Sequence, residues 1–111
     1  ALLDYWQGKC CVTGLDVPEL LRASHIRPWA HCENDEQRLD VFNGLLLAPH
    51  LDALFDAGWI TIDDAGNVRL SAQLTAQRRA ALGLHGELQV IGLHAQHHSY
   101  LDFHRRKVWK G

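Results

Sequence analysis

Apolar residues occur along this chain in short runs separated by glycine, proline and charged residues, which is typical of a small domain built from several short elements. The first run, residues 2–7, predicts a helix that ends at Gly8. Residues 21–26 predict a strand with His25 near its end, because Pro28 cannot donate to a strand ladder and forces the residue before it to be extended.

The next segment predicts a second strand followed by a helix. Asn43 and Gly44 form a turn signal, and residues 45–47, all leucine, predict a short buried strand. This strand would pair with the first one across residues 30–40, a polar stretch that predicts an ordered surface loop close to a site. Pro49 suits the first turn of a helix. The buried face of that helix would consist of Leu51, Leu54 and Phe55, at positions i, i+3 and i+4.

The C-terminal half predicts further elements around this ββα unit. Residues 59–62 and 68–70 flank a glycine-containing loop and predict a β-hairpin. Residues 72–82 predict a helix, and residues 83–92 an irregular connection. Residues 95–109 predict a last helix whose inward side chains would be Tyr100, Phe103 and either Val108 or Trp109. The predicted fold class is α+β, with a central ββα unit, an added hairpin and flanking helices.

Length, charge and cysteine content restrict what this domain can be. The 111 residues suffice for one modest core, so residues 1–111 are predicted to form a single domain, and a start at Ala1 inside a helix-like run indicates a fragment of a longer protein. With 11 basic and 13 acidic residues the net charge is −2, so the broad basic surface of a strong nucleic-acid binder is missing. Three cysteines and no signal-peptide pattern favour reduced thiols in the cytoplasm, and no apolar run predicts a membrane span.

Several polar side chains could supply the chemistry of phosphodiester hydrolysis. This reaction needs a base that deprotonates water, a cation that neutralises the charge developing on the phosphate and the leaving oxygen, and a rigid frame that holds both in line. His25 is the candidate base, because a neutral imidazole can take a proton near neutral pH; a lone histidine is otherwise more often structural. Asp52 and Asp56 lie four residues apart on the predicted helix, so both could reach one ion. Asp52 would equally suit a helix N-terminus, and Asn43 an ordinary turn.

The segments SHIRPW (residues 24–29), NGLLL (43–47) and LDALFD (51–56) resemble the HNH endonuclease family, part of the ββα-metal group of nucleases. The resemblance covers roughly residues 5–71, with a weaker echo at residues 100–105. It implies that His25 is the general base and that Asn43 bridges the loop and orients this histidine. It also places Asp52, nine residues after Asn43, at a position where the family usually has a histidine metal ligand.

The chain departs from the family pattern at two positions, which affects the expected metal. Asp52 replaces the usual histidine, and Ser24, a poor ligand, stands where relatives often have a ligand before the base. Carboxylates favour Mg²⁺ or Mn²⁺, so a divalent ion of this kind is the expected cofactor, with Asp52 ranked first, then Asp56, then His50. The cysteines do not match the family's common zinc knuckle. A second, less favoured metal cluster would consist of His94, His97 and His98.

These observations predict a metal-dependent endonuclease that hydrolyses phosphodiester bonds of DNA, of the type found in restriction and antiphage defence proteins. The alternative is a catalytically weakened HNH-fold module that only binds nucleic acid. The expected partners are DNA and a recognition or regulatory domain outside this chain; no membrane partner is expected, and homodimerisation stays open. The candidates for phosphate contact are Arg22, Arg27, Arg105 and Arg106, although the C-terminal basic residues also suit a solvated helix face.

Overall fold

An antiparallel hairpin of two four-residue strands lies at the centre of the computed structural model, which describes all 111 residues. Strand β1 (Arg22–His25) pairs with β2 (Gly44–Leu47), so that Arg22 lies opposite Leu47 and His25 opposite Gly44. Every residue of β2 is buried, as expected for the leucine run. Both predicted strands are confirmed, and the hairpin places His25 at the end where the long connection between the strands begins.

The helix after β2 completes the predicted ββα unit. Helix α3 (Pro49–Asp56) begins with Pro49 in its first turn, where a missing backbone N–H costs nothing. The helix packs against β1, and its buried residues are the three predicted ones, Leu51, Leu54 and Phe55. It ends before Gly58, whose φ of +80° requires glycine. A Cβ on Gly58 would also lie 2.1 Å from the carbonyl oxygen of Val108, so the C-terminal segment packs directly on this turn.

The connection between β1 and β2 contains regular structure that the sequence analysis did not predict. Two 3₁₀ turns, Trp29–His31 and Val41–Asn43, flank a short helix, α2 (Asp35–Leu39). Asn34 caps this helix, because its side-chain oxygen accepts a hydrogen bond from the backbone N–H of Gln37 at 2.9 Å. The prediction of a loop without helix was therefore wrong, and the missed signal was this asparagine followed by two acidic residues.

The remaining elements surround the ββα unit. Helix α1 (Leu2–Tyr5) contacts β2, and a second hairpin joins β3 (Ile60–Ile62) to β4 (Val68–Leu70), as predicted. Helix α4 (Ala76–Ala81) is shorter than predicted, because Thr75 caps its start by accepting a hydrogen bond from the N–H of Arg78 at 3.2 Å. The structure is α+β with an added hairpin and flanking helices. None of its helices combines the length and the apolar character needed to cross a membrane.

The last helix, α5 (His98–Lys107), follows a 3₁₀ turn at Ala95–His97 and buries a different face from the predicted one. Tyr100 and Phe103 are only half-buried. The fully enclosed side chains are instead His97, Leu101 and His104. The prediction assumed that the most apolar residues face inward, whereas two histidines occupy the core.

His104 connects three elements through its ring. Its Nε2–H donates to the carbonyl oxygen of Phe55 at 2.8 Å, which leaves Nδ1 to accept a hydrogen bond from the Thr61 hydroxyl at 2.8 Å. The imidazole also stacks on the Phe55 ring with centroids 3.8 Å apart. Both ring nitrogens are thus satisfied in the neutral state, and burial lowers the pKa of His104 to about 4.

The depressed pKa of His104 predicts acid sensitivity of the fold. The unfolded chain binds this proton near pH 6.5 and the folded chain only near 4, so the contribution is complete above pH 6.5 and is lost as the pH falls toward 4. The full loss amounts to about 3 kcal/mol in the free energy of unfolding. Urea unfolding of the parent and of His104→Gln at pH 7 and pH 5 checks this. The parent should lose clearly more stability than the variant, with His85→Gln, at an exposed site, as the control.

Equal pH dependence in the parent and in His104→Gln would contradict this account of the core histidine. A parent-like pH dependence is expected for His85→Gln.

Candidate active site

His25 lies at the end of β1 with one ring nitrogen bound to the backbone. Its Nε2 is 2.8 Å from the carbonyl oxygen of Arg38. Because a carbonyl oxygen can only accept, Nε2 carries the hydrogen, and the lone pair of the neutral imidazole is therefore on Nδ1. Nδ1 makes no hydrogen bond within the chain. The ring of Trp29 meets the imidazole edge-on at 5.5 Å. The arrangement leaves one proton-accepting nitrogen in a half-buried position.

The Arg38 carbonyl is available because it belongs to the last turn of α2. Carbonyl groups at a helix C-terminus have no partner within the helix, so a side chain from elsewhere can satisfy them. The sequence analysis did not single out Arg38. The signal that could have identified it was the Asn34 cap, since a helix starting there must end near residues 38–39, opposite the start of the second strand.

Asn43 is fully buried where the connection enters β2, and its side chain binds the backbone of that connection at two separated points. Its Oδ1 accepts a hydrogen bond from the N–H of Arg27 at 2.8 Å. Its Nδ2 donates to the carbonyl oxygens of Gln37 at 3.1 Å and Arg27 at 3.3 Å. Asn43 makes no hydrogen bond with His25. One of its contacts, the Gln37 carbonyl, lies next to Arg38, whose own carbonyl binds His25.

The predicted metal ligands lie on one element. His50, Asp52 and Asp56 all belong to α3, and none of their side chains forms an ion pair or a hydrogen bond within the chain. No three histidine, cysteine, aspartate or glutamate side chains come together as a ligand group. This donor set does not fit a closed zinc site, which needs four protein ligands. It does fit Mg²⁺, which is held by one or two carboxylates together with water and substrate phosphates.

Ser24 does not supplement this donor set. It is buried in β1 opposite Leu45, and its side chain offers a hydroxyl where a carboxylate or imidazole would be a stronger ligand.

The four arginines predicted to contact phosphate differ in the contacts that their guanidinium groups make within the chain. Arg22 is exposed, and its guanidinium meets no carboxylate; it binds only the neighbouring Leu21 carbonyl. The other three each pair with an acidic side chain: Arg27 with Glu33, Arg105 with Asp64, and Arg106 with Asp102. Arg27 is also held over the Phe103 ring, and Arg105 donates to the Ile62 carbonyl at 2.8 Å. Arg22 is thus the most available cation of the four.

The second predicted cluster, His94, His97 and His98, does not form a metal site. His94 and His97 instead cap the 3₁₀ turn: Nδ1 of His97 accepts from the N–H of His94 at 2.8 Å, and Nδ1 of His94 accepts from the N–H of Gln96 at 3.1 Å. The His97 ring packs among aromatic side chains, and burial lowers its pKa. Local capping accounts for Nδ1 of His94 and of His97, whereas Nε2 of His97 is buried without a hydrogen-bond partner.

A central hairpin ending in a histidine, followed by a packed helix carrying acidic residues, defines a ββα domain. Residues 10–63 match the family model described as HNH endonuclease. Together with the ββα architecture, this match over about half of the chain supports its assignment to the HNH endonuclease family. The matched segment includes His25, Asn43, Asp52 and Asp56. The weaker echo at residues 100–105 lies outside it, and there His104 serves the core.

A solved structure supports the same fold over nearly the whole chain. This structure, named "Modification dependent TagI restriction endonuclease", superposes on 96% of the present chain with a TM-score of 0.63 and 21% sequence identity. The present chain spans only 35% of that protein's chain. A comparison with curated protein sequences gave no significant match.

The buried contacts of Asn43 predict a large cost for its removal. Asn43→Ala would leave the N–H of Arg27 without a partner and the carbonyl of Gln37 with only the 3.4 Å hydrogen bond from the N–H of Asp40, which should lower the free energy of unfolding by about 2–3 kcal/mol. Asn34→Ala is the matched control, because Asn34 is exposed and its loss removes only a helix cap, worth about 1 kcal/mol. Urea unfolding of both variants at pH 7 measures the difference. A cost for Asn43→Ala no greater than that for Asn34→Ala would show that the connection does not depend on this amide.

Proposed function

We propose that this chain is the cleavage domain of a metal-dependent endonuclease that hydrolyses phosphodiester bonds of DNA. The observation that carries the proposal is the binding of His25 Nε2 to the Arg38 carbonyl, which leaves Nδ1 as a free proton acceptor at the end of the HNH hairpin. Membership of the HNH endonuclease family supplies the reaction class.

In this proposal His25 acts as the general base. Nδ1 takes a proton from a water molecule as that water attacks the phosphorus atom. The imidazolium that forms keeps its Nε2–H on the Arg38 carbonyl, whose partial negative charge stabilises the new positive charge. Asn43 keeps the connection between the strands in place, so that the Arg38 carbonyl stays within hydrogen-bond distance of His25.

Asp52 and Asp56 would hold the divalent ion, with His50 as a further donor at the start of the same helix. The residues fit Mg²⁺ or Mn²⁺ through their carboxylate oxygens, which no other group in the chain occupies. When bound, such an ion supplies positive charge to the phosphate and the leaving oxygen. The chain's own contribution is to present two carboxylates from one rigid helix packed on β1.

DNA contact by this domain alone is proposed to be weak. The net charge is −2, and three of the four candidate arginines are engaged in ion pairs, which leaves Arg22 as the leading phosphate contact. Target choice would then come from a domain outside this chain. The similar solved structure is that of a modification-dependent restriction endonuclease, which favours a role in restriction and antiphage defence. The three free cysteines suit the cytoplasm, where such a protein would act.

Replacing the proposed base tests the central assignment. His25→Ala should reduce the cleavage rate by about 10² to 10⁴, because it removes the group that takes the proton. Folding and DNA binding should change little. The assay is plasmid cleavage in Mg²⁺ or Mn²⁺ under single-turnover conditions, with His85→Ala, at an exposed site, as the control. Unchanged cleavage by His25→Ala would remove this residue from the mechanism.

Replacing the two aspartates of α3 with asparagine tests whether they are the metal ligands. Asp52→Asn should weaken Mn²⁺ binding more than Asp56→Asn, because Asp52 is half-buried on the helix and occupies the family's ligand position, whereas Asp56 is exposed. Calorimetric titration of Mn²⁺ measures both, and Asp4→Asn, at an exposed position on α1, is the control. If both α3 variants bind Mn²⁺ like the parent, the ion lies elsewhere.

A second candidate function is a module that binds nucleic acid without cutting it. The buried serine at position 24 and the lack of three converging ligands favour it. The two functions differ in one measurement on the unaltered protein. Cleavage of plasmid that depends on Mg²⁺ or Mn²⁺ identifies the nuclease, whereas DNA binding with no cleavage in either metal identifies the binding module.

A further inference from the structure

The Arg38 side chain is attached to the connection between β1 and β2 at four points. Its Nε donates to the Trp29 carbonyl at 3.3 Å, and one Nη donates to the Cys32 carbonyl at 3.3 Å. The other Nη pairs with Asp35 at 3.0 Å. The guanidinium carbon also lies 5.2 Å from the centre of the Trp29 ring. The side chain thus draws the 3₁₀ turn at Trp29–His31 and the helix α2 together.

Arg38 reaches His25 by two routes. Its own carbonyl accepts the Nε2–H of His25, and its guanidinium holds Trp29, whose ring packs edge-on against the imidazole. Trp29 is 57% exposed, so the protein interior does not fix its position. One residue therefore determines both the hydrogen-bond acceptor and the aromatic neighbour of the histidine.

These contacts matter because a neutral imidazole has two tautomers. An acceptor held at Nε2 favours the Nε2–H form and leaves the lone pair on Nδ1. If the carbonyl moves away, the ring can rotate and both tautomers become populated, so fewer molecules present Nδ1 as the base. The planar guanidinium suits this task, since its N–H groups reach three acceptors in a fixed geometry that a lysine ammonium cannot reproduce.

We propose that the Arg38 side chain is a positioning residue that fixes the tautomer and orientation of His25. The kinetic part of this inference rests on the proposed nuclease function, whereas the tautomer part does not. The two backbone carbonyls are the important attachments. Asp35 is 85% exposed, so its ion pair with Arg38 contributes little.

The experiment compares Arg38→Gln and Arg38→Lys with two controls. Asp35→Asn removes the exposed ion pair but keeps both carbonyl contacts. Arg69→Lys changes an arginine with a similar ion pair, to Asp63 at 2.9 Å, on β4 of the second hairpin. The first readout is the tautomer of His25, from the ring ¹⁵N and ¹H shifts of the labelled protein at a pH where the ring is neutral. The second is kcat and KM for plasmid cleavage with Mn²⁺.

The parent and both controls should show the Nε2–H tautomer, whereas Arg38→Gln should show a mixture of the two. For Arg38→Gln, kcat should fall by about 10- to 100-fold, the effect typical of removing a group that orients a functional imidazole, and KM should change little. Arg38→Lys should lie between the parent and Arg38→Gln. If Arg38→Gln does not fold, the tautomer and kcat of Arg38→Lys decide the question.

A single Nε2–H tautomer in folded Arg38 variants, or a fall in kcat no larger than that of Asp35→Asn, overturns the positioning role. Failure of the proposed function gives a different result: the parent would not cleave DNA in any metal, while the tautomer would still respond to Arg38. The two failures are therefore distinguishable.

Discussion

The buried amide of Asn43 is the interaction on which the candidate site depends. The connection between β1 and β2 is long, and the N–H and C=O groups of its backbone need hydrogen-bond partners. Asn43 satisfies groups near both of its ends, at Arg27 and Gln37, in a fully buried position where unpaired polar groups are costly. The carbonyl that binds His25 belongs to the next residue after Gln37. The hydrogen bonds that stabilise the connection therefore also hold the segment that contacts His25.

Two kinds of histidine in this chain show how environment determines role. His104 and His97 are enclosed, with their pKa values lowered by burial, and they remain neutral as parts of the core. His25 is half-buried and binds the backbone through one nitrogen only, so its other nitrogen has no partner within the chain. Sequence spacing treats these residues alike. Solvation and hydrogen bonding separate them.

Helix α3 packs on the core and also carries the predicted metal ligands. Its apolar face fastens the helix to β1, and its polar side carries Asp52 and Asp56, which have no partner within the chain. A donor set of two carboxylates is incomplete by itself, which suits an ion that retains water and takes part of its coordination from a phosphate. The serine before His25 has the same consequence, since it adds no strong ligand.

The sequence by itself determined the ββα core, the second hairpin and the resemblance to the HNH endonuclease family, because short apolar runs, Pro49, Gly58 and the NGLLL run act locally and leave few alternatives. It also identified His25 and Asn43 as candidates, whose functional roles remain predictions. Only the tertiary structure decided that the Arg38 carbonyl binds His25, that the Asn43 side chain binds the connection and not His25, that His97 and His104 are core residues, and that Arg27 and Arg105 are occupied by neighbours. These facts depend on contacts between residues that are distant in sequence, or on the short capped helix α2, which the sequence analysis did not predict. Composition and periodicity contain no record of such contacts, because they arise only when the elements pack together.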